Sequence, residues 1–222
     1  MPCTNVVVHK HAYWPVSYAT NSNNGRGLWS DRELSPSSQR PPRSHRVYPS
    51  LHDGQFLGRG GTKNVTVETR KGGLVAVMRS QVKDLTMEAT LMMKLSMCPH
   101  PHLLPLLSVE SDASSGVRMV APIAKYGSVL DLVDHLEFEG LAPSHEHMDV
   151  VLRQVEQAVD HLETQGLDHG DVRARNVLVF EFDAGNPCAT HVRLADYGET
   201  RPGRVAPDCI VDLAKELHSL VP

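Results

Sequence analysis

The chain has 222 residues, enough for one domain with a real core and too few for two large ones. Charged residues make up 22% and apolar residues 41%, a globular balance that argues against a wholly disordered or membrane-embedded protein. The formal net charge of -4 gives no electrostatic case for nucleic acid as a partner, and no apolar run approaches the ~20 residues that span a bilayer, so no membrane insertion is expected.

Four scattered cysteines, Cys3, Cys98, Cys188 and Cys209, contain no C-x-x-C pair and read as reduced thiols. The local cluster His145-Glu146-His147 lacks the i, i+4 spacing of a helical zinc motif, so histidine-bound metal is not expected. The start of the chain has only the short Val6-Val7-Val8 patch and no long apolar core after a basic residue. No secretory signal is read there, and the expected location is intracellular, either cytoplasmic or delivered into the cytosol.

Residues 1–50 are polar and Pro-rich, without periodicity, and read as a disordered N-terminal arm. From Leu51 the pattern changes. Residues 65–68 alternate, Lys71-Gly72-Gly73 makes a turn, and residues 74–78 are β-rich, which predicts a hairpin. Helical periodicity runs over residues 84–97, and Pro99 follows its end. Residues 117–123 predict a strand, and 131–139 and 145–165 predict helices, the second stopped by Gly166. Strands over 177–180 and 191–194 and a helix over 210–220 complete the pattern. Strands and one helix first, then helices around a small hairpin, predict an α+β layout in two lobes.

The chemistry-bearing stretch is Asp168-His169-Gly170-Asp171-Val172-Arg173-Ala174-Arg175-Asn176, placed between a long helix and a strand. It resembles the protein-kinase catalytic loop H-R-D-x-x-x-x-N. Beyond it, Leu194-Ala195-Asp196-Tyr197-Gly198 resembles the D-F-G segment with Tyr for Phe. Upstream, Gly58-Arg59-Gly60-Gly61-Thr62-Lys63-Asn64-Val65 resembles the glycine-rich loop G-x-G-x-x-G-x-V, with Lys63 at the third glycine. The resemblance covers residues 54–222 and implies a two-lobed protein-kinase-like fold, with a β-rich N-lobe over 51–125 and a truncated helical C-lobe over 126–222.

It also implies ATP and Mg2+ as cofactors and a protein hydroxyl as substrate. Asp171 would be the base, with Arg173 beside it at a position where serine/threonine kinases carry Lys. Asn176 and Asp196 would bind magnesium. Leu57, Gly58, Gly60, Gly61 and Val65 would cover the nucleotide. Adenine would lie between Val65, Ala76 and Leu178, near Ala121 and Ala124. Asp212 would support the catalytic loop from the last helix.

Three departures stand out. The strand Leu74-Val75-Ala76-Val77-Met78 matches the family's V-A-I-K strand, with Met78 at the lysine. That lysine normally clamps phosphate oxygens and pairs with a helix Glu, here Glu88 by register. Either the chain is a pseudokinase that binds or scaffolds without turnover, or Lys63 substitutes from the loop. The loop is similar to the G-R-G-x-x-K-x-V of the With-No-Lysine kinases, and the paired loss and gain favours substitution. Gly170 replaces the arginine that binds an activation-segment phosphate, so control by such a phosphate is not expected. The stretch from Gly198 to Asp212 is short, which also keeps a small-molecule kinase as an alternative.

Overall fold

The computed structural model describes residues 51–59, 63–80, 85–112, 116–204, 206 and 208–222. The expected arm over 1–50, and Gly60 and Gly61 of the loop, lie outside the described residues.

The first strands are β1 (Phe56–Arg59), β2 (Asn64–Arg70) and β3 (Gly73–Arg79), followed by helix α1 (Thr86–Met97). Strands β4 (Ser108–Asp112) and β5 (Gly116–Pro122) complete an antiparallel sheet in the order β1-β2-β3-β5-β4. Alternation fixes its two faces. Val67, Ala76, Met78, Met119 and Ala121 share one face, which joins the main core with Ala89 and Met92 of α1, while Val75, Val77 and Val120 form a separate cluster on the other. Strand β4 was not legible, because Ser-Val-Glu-Ser-Asp carries no apolar stripe. Its ladder to β5 and the ion pair between the facing residues Glu110 and Arg118 hold it in place.

Helix α2 (Val129–Phe138) follows β6 (Gly127–Ser128), and α3 (His145–Thr164) follows a short linker. Ser128 starts α2 with a reciprocal cap: its Oγ accepts from Asp131 N at 3.2 Å, and Asp131 Oδ2 accepts from Ser128 N at 3.1 Å. The buried stripe of α3 includes Met148, Val151, Val155, Val159 and Leu162, the expected face. Strand β7 (Leu167–Asp168) leads into the catalytic-loop segment, β8 (Val177–Glu181) and β9 (His191–Leu194) form the small hairpin, and β10 (Arg201–Pro202) pairs with β7. Helix α4 (Asp208–His218) buries Leu213 and Leu217. The two-lobed α+β layout is therefore present. Among the described residues, no helix is long and apolar enough to cross a membrane.

The loop after α1 is tied to β9. Leu104 N donates to Leu194 O at 2.9 Å, and Leu194 N donates to His102 O at 2.8 Å. One strand of the small hairpin thus fastens the sheet-and-α1 half to the helical half.

Candidate functional site

Lys63 immediately precedes β2. In the β2–β3 ladder Val65 faces Met78 and Val67 faces Ala76, so alternation puts Lys63, Val65 and Val67 on the face shared with Met78. Lys63 Nζ lies 2.6 Å from Glu88 Oε1 on α1 and 2.5 Å from Asp196 Oδ1 beyond β9. One ammonium is shared by two carboxylates. Burial alone would lower the Lys63 pKa, but the Glu88 and Asp196 charges outweigh it and hold the ammonium above its usual range. Burial would likewise raise the Asp196 carboxyl, and Lys63 outweighs it and holds it below its usual range.

Met78 cannot play that part. It is buried in the main core beside Leu85, Ala89 and Met92, where burying a methionine contributes about 1.5–3 kcal/mol. Among the described residues Asp196 is the one non-glycine with a left-handed backbone, φ 67°, which costs about 1–2 kcal/mol. That turn leaves its carboxylate half exposed at the site rather than packed under β9.

The residues after β7 gather around Asp171. Asn176 Nδ2 donates to Asp171 Oδ2 and to Asp171 O, both at 2.8 Å. The Arg173 guanidinium pairs with Asp171 Oδ1, and Arg175 lies 3.6 Å from Oδ2. Ala195 N donates to Asn176 O at 2.9 Å, which joins this loop to the residue before Asp196. His169 is fully buried against the Tyr197 ring, with centroids 5.5 Å apart, and burial pushes its pKa down despite nearby Asp196. The Tyr197 hydroxyl donates toward Leu104 O at 3.3 Å and Leu194 O at 3.2 Å, and burial pushes its pKa up.

Support from α4 differs from expectation. Asp212 is exposed and pairs with Lys215 at 3.0 Å, whereas Glu216 Oε2 accepts from Ala174 N at 2.8 Å. The difference is one helical turn. Glu216 lies beside the buried Leu213–Leu217 stripe, and Asp212 lies farther round the helix.

The segment after Asp196 folds back on the loop. Asp168 Oδ2 accepts from Arg201 Nε at 3.2 Å and Nη2 at 3.0 Å, and Oδ1 accepts from Gly170 N at 3.1 Å. Gly170 has φ +79°, and a Cβ there would meet Glu199 O at 2.5 Å, so no side chain fits where an arginine was the reference. Sequence reading missed Asp168, Arg201 and Glu216, since each acts through a contact distant in sequence.

The expected nucleotide wall is apolar. Leu57, Ala76, Ala121 and Ala124 are fully buried and Leu178 nearly so. Half-buried Val65 packs against both the Ala76 cluster and the cluster containing Ala121, Ala124 and Leu178. Gly58 sits in β1 opposite Val65.

No group of three or more His, Cys, Asp or Glu among the described residues is arranged to hold a metal by itself. Asp196 and Asn176 nevertheless supply a carboxylate and an amide oxygen, hard donors of the kind magnesium takes when phosphates and waters complete its shell.

The family model for protein tyrosine and serine/threonine kinases matches residues 50–207. Tyrosine-protein kinase SRK3 of Spongilla lacustris is 33% identical over 141 residues, 64% of this chain and 37% of that protein. Ribosomal protein S6 kinase alpha-6 of Danio rerio is 28% identical over 56% of this chain and 15% of its own length. Ribosomal protein S6 kinase 2 alpha of Gallus gallus is 25% identical over 78% of this chain and 23% of its own length. This chain thus spans well under half of each of these relatives. With a matching model across most of its length and the loop, hairpin and sheet in the corresponding order, the chain belongs to the protein tyrosine and serine/threonine kinase family.

Proposed function

We propose that this chain is a protein kinase that transfers the γ-phosphoryl group of ATP to a protein hydroxyl. The carrying observation is the ion triad of Lys63, Glu88 and Asp196, which supports a loop lysine serving in place of the one that Met78 replaces on β3. Lys63 would hold phosphate oxygens, with Glu88 fixing its direction. Val65, Ala76, Leu178, Ala121 and Ala124 would enclose the adenine, with Leu57 and Gly58 above it. Gly60 and Gly61 would complete the cover.

In the transfer, the substrate hydroxyl oxygen bonds to the γ-phosphorus while the bond to the β–γ bridging oxygen breaks, leaving ADP. Asp171 takes the hydroxyl proton, and Asn176 orients the Asp171 carboxylate through its amide N–H. Arg173, paired with Asp171 Oδ1, would supply positive charge beside the transferring phosphoryl group. Asp196 and Asn176 would hold magnesium, whose charge would neutralise the phosphates when bound. The reading implies a location where ATP is plentiful, hence inside the cell.

The test is phosphoryl transfer from labelled Mg-ATP to the chain itself and to a mixed protein substrate, run beside Asp196→Ala. Transfer that vanishes in the variant supports the proposal. Nucleotide binding without transfer would replace it with a binding protein that lacks turnover. Transfer to small alcohols alone would replace it with a small-molecule kinase.

A further inference from the structure

The geometry points to Arg201 and Asp168 as positioning residues that set Asp171 through Gly170, a fixed charge latch standing where the family uses a phosphate contact. This rests on the kinase reading above and adds to it how the site is kept in order.

Asp168 divides its two oxygens between two segments. Oδ2 takes both Arg201 donors, and Oδ1 takes Gly170 N, the amide next to Asp171. The Asp168 side chain is only 7% exposed, so the pair is charge-assisted and one-sidedly shielded from water. The backbone reinforces it. Arg201 faces Asp168 and Pro202 faces Leu167 in the β7–β10 ladder, and Gly203 N donates to Gly166 O at 3.0 Å. Thr200 Oγ1 donates to His169 O at 3.3 Å. Glu199 O fills the space over Gly170.

The charges run opposite to a phosphate-controlled arrangement. The acid is on the catalytic-loop side and the base is on the segment, so the latch needs no added phosphate. A phosphate on Thr200 would lose the His169 contact and bring negative charge toward Asp168. Without Arg201, the Asp168 carboxylate keeps its burial and loses its cation. It then turns toward other donors and water, and Gly170 N loses its fixed acceptor.

The test compares wild type, Arg201→Gln, Arg201→Lys and Asp168→Asn as full chains. Mg-ATP affinity is read with a fluorescent nucleotide, kcat with phosphoryl transfer, and segment order with trypsin cleavage at Arg204. The bond after Arg201 precedes Pro202 and resists trypsin. Arg201→Gln is expected to lower kcat about tenfold, the scale of one charge-assisted contact, with Mg-ATP affinity within about twofold of wild type. Cleavage at Arg204 is expected to rise severalfold, Arg201→Lys to recover part of both effects, and phosphatase treatment to leave wild type unchanged. Unchanged kcat and cleavage in Arg201→Gln would overturn the latch, and so would equal losses of affinity and kcat in all three variants. If wild type neither binds nor transfers, the kinase reading fails, and the Arg204 cleavage comparison still decides whether Arg201 holds the segment.

Discussion

Met78 faces Val65 across the β2–β3 ladder, one alternation step from Lys63. The Lys63 ammonium at the start of β2 and the apolar Met78 of β3 therefore lie toward the same face of the sheet. Lys63→Met is expected to lower kcat/KM for ATP about a hundredfold or more, because a charged clamp on a transferring phosphoryl group is worth several kcal/mol. Met78→Lys alone should not raise activity, since it adds a second cation to the face and a charge to an apolar core. The double variant should recover part of the loss. Steady-state kinetics on the four proteins decide this, and wild-type activity in Lys63→Met would refute the relocation.

Gly170→Ala combines a left-handed φ with a Cβ placed 2.5 Å from Glu199 O. The expected cost is about 1–3 kcal/mol, or roughly 2–4 °C of Tm per kcal/mol in a chain of this size. Gly185→Ala is the control, because its Cβ would meet nothing closer than 3.6 Å. Equal melting of the two variants would count against the close approach.

Glu216→Ala should leave the buried Ala174 amide without its acceptor, costing about 1–3 kcal/mol in denaturant unfolding. Asp212→Ala should stay within about 0.5 kcal/mol, because its only described partner is Lys215 on an exposed face. The opposite ranking would restore Asp212 as the support.

Acid should weaken the fold through histidines that are held neutral. Burial depresses His169, burial beside the His161 and His102 imidazoles depresses His100, and burial beside Arg193 depresses His191, all below the ordinary 6.5. The folded state then binds fewer protons than the unfolded chain. The stability contributed is complete above about pH 6.5 and is lost as pH falls through the depressed folded values. A Tm series from about pH 8 to pH 5 should slope downward below 6.5, and His169→Gln should flatten that slope. An unchanged slope in the variant would remove His169 as its source.

The proximity of Asp171 to Asn176 was legible because one short loop holds both next to a strand, and that of Lys63 to Glu88 because strand and helix registers are local. Helix α3 and strand β9 were legible from their apolar periods. Strand β4 was not, since a polar edge strand is fixed by its partner's backbone. Asp168 and Arg201 were not, since 33 residues separate an ordinary-looking acid from an ordinary-looking base. Glu216 was misassigned to Asp212 because spacing alone does not resolve one helical turn.

The tie between the α1 loop and β9 has a mechanical consequence. Leu104 and Leu194 are hydrogen-bonded to each other, and the Tyr197 hydroxyl reaches both carbonyls. Glu88 rides on the helix leading into that loop, and Asp196 follows the strand. The two acids are therefore joined through the α1 loop as well as through Lys63, which ties both to the start of β2. In Lys63→Met, amide exchange would quicken at the start of β2 while Leu104 and Leu194 stay protected.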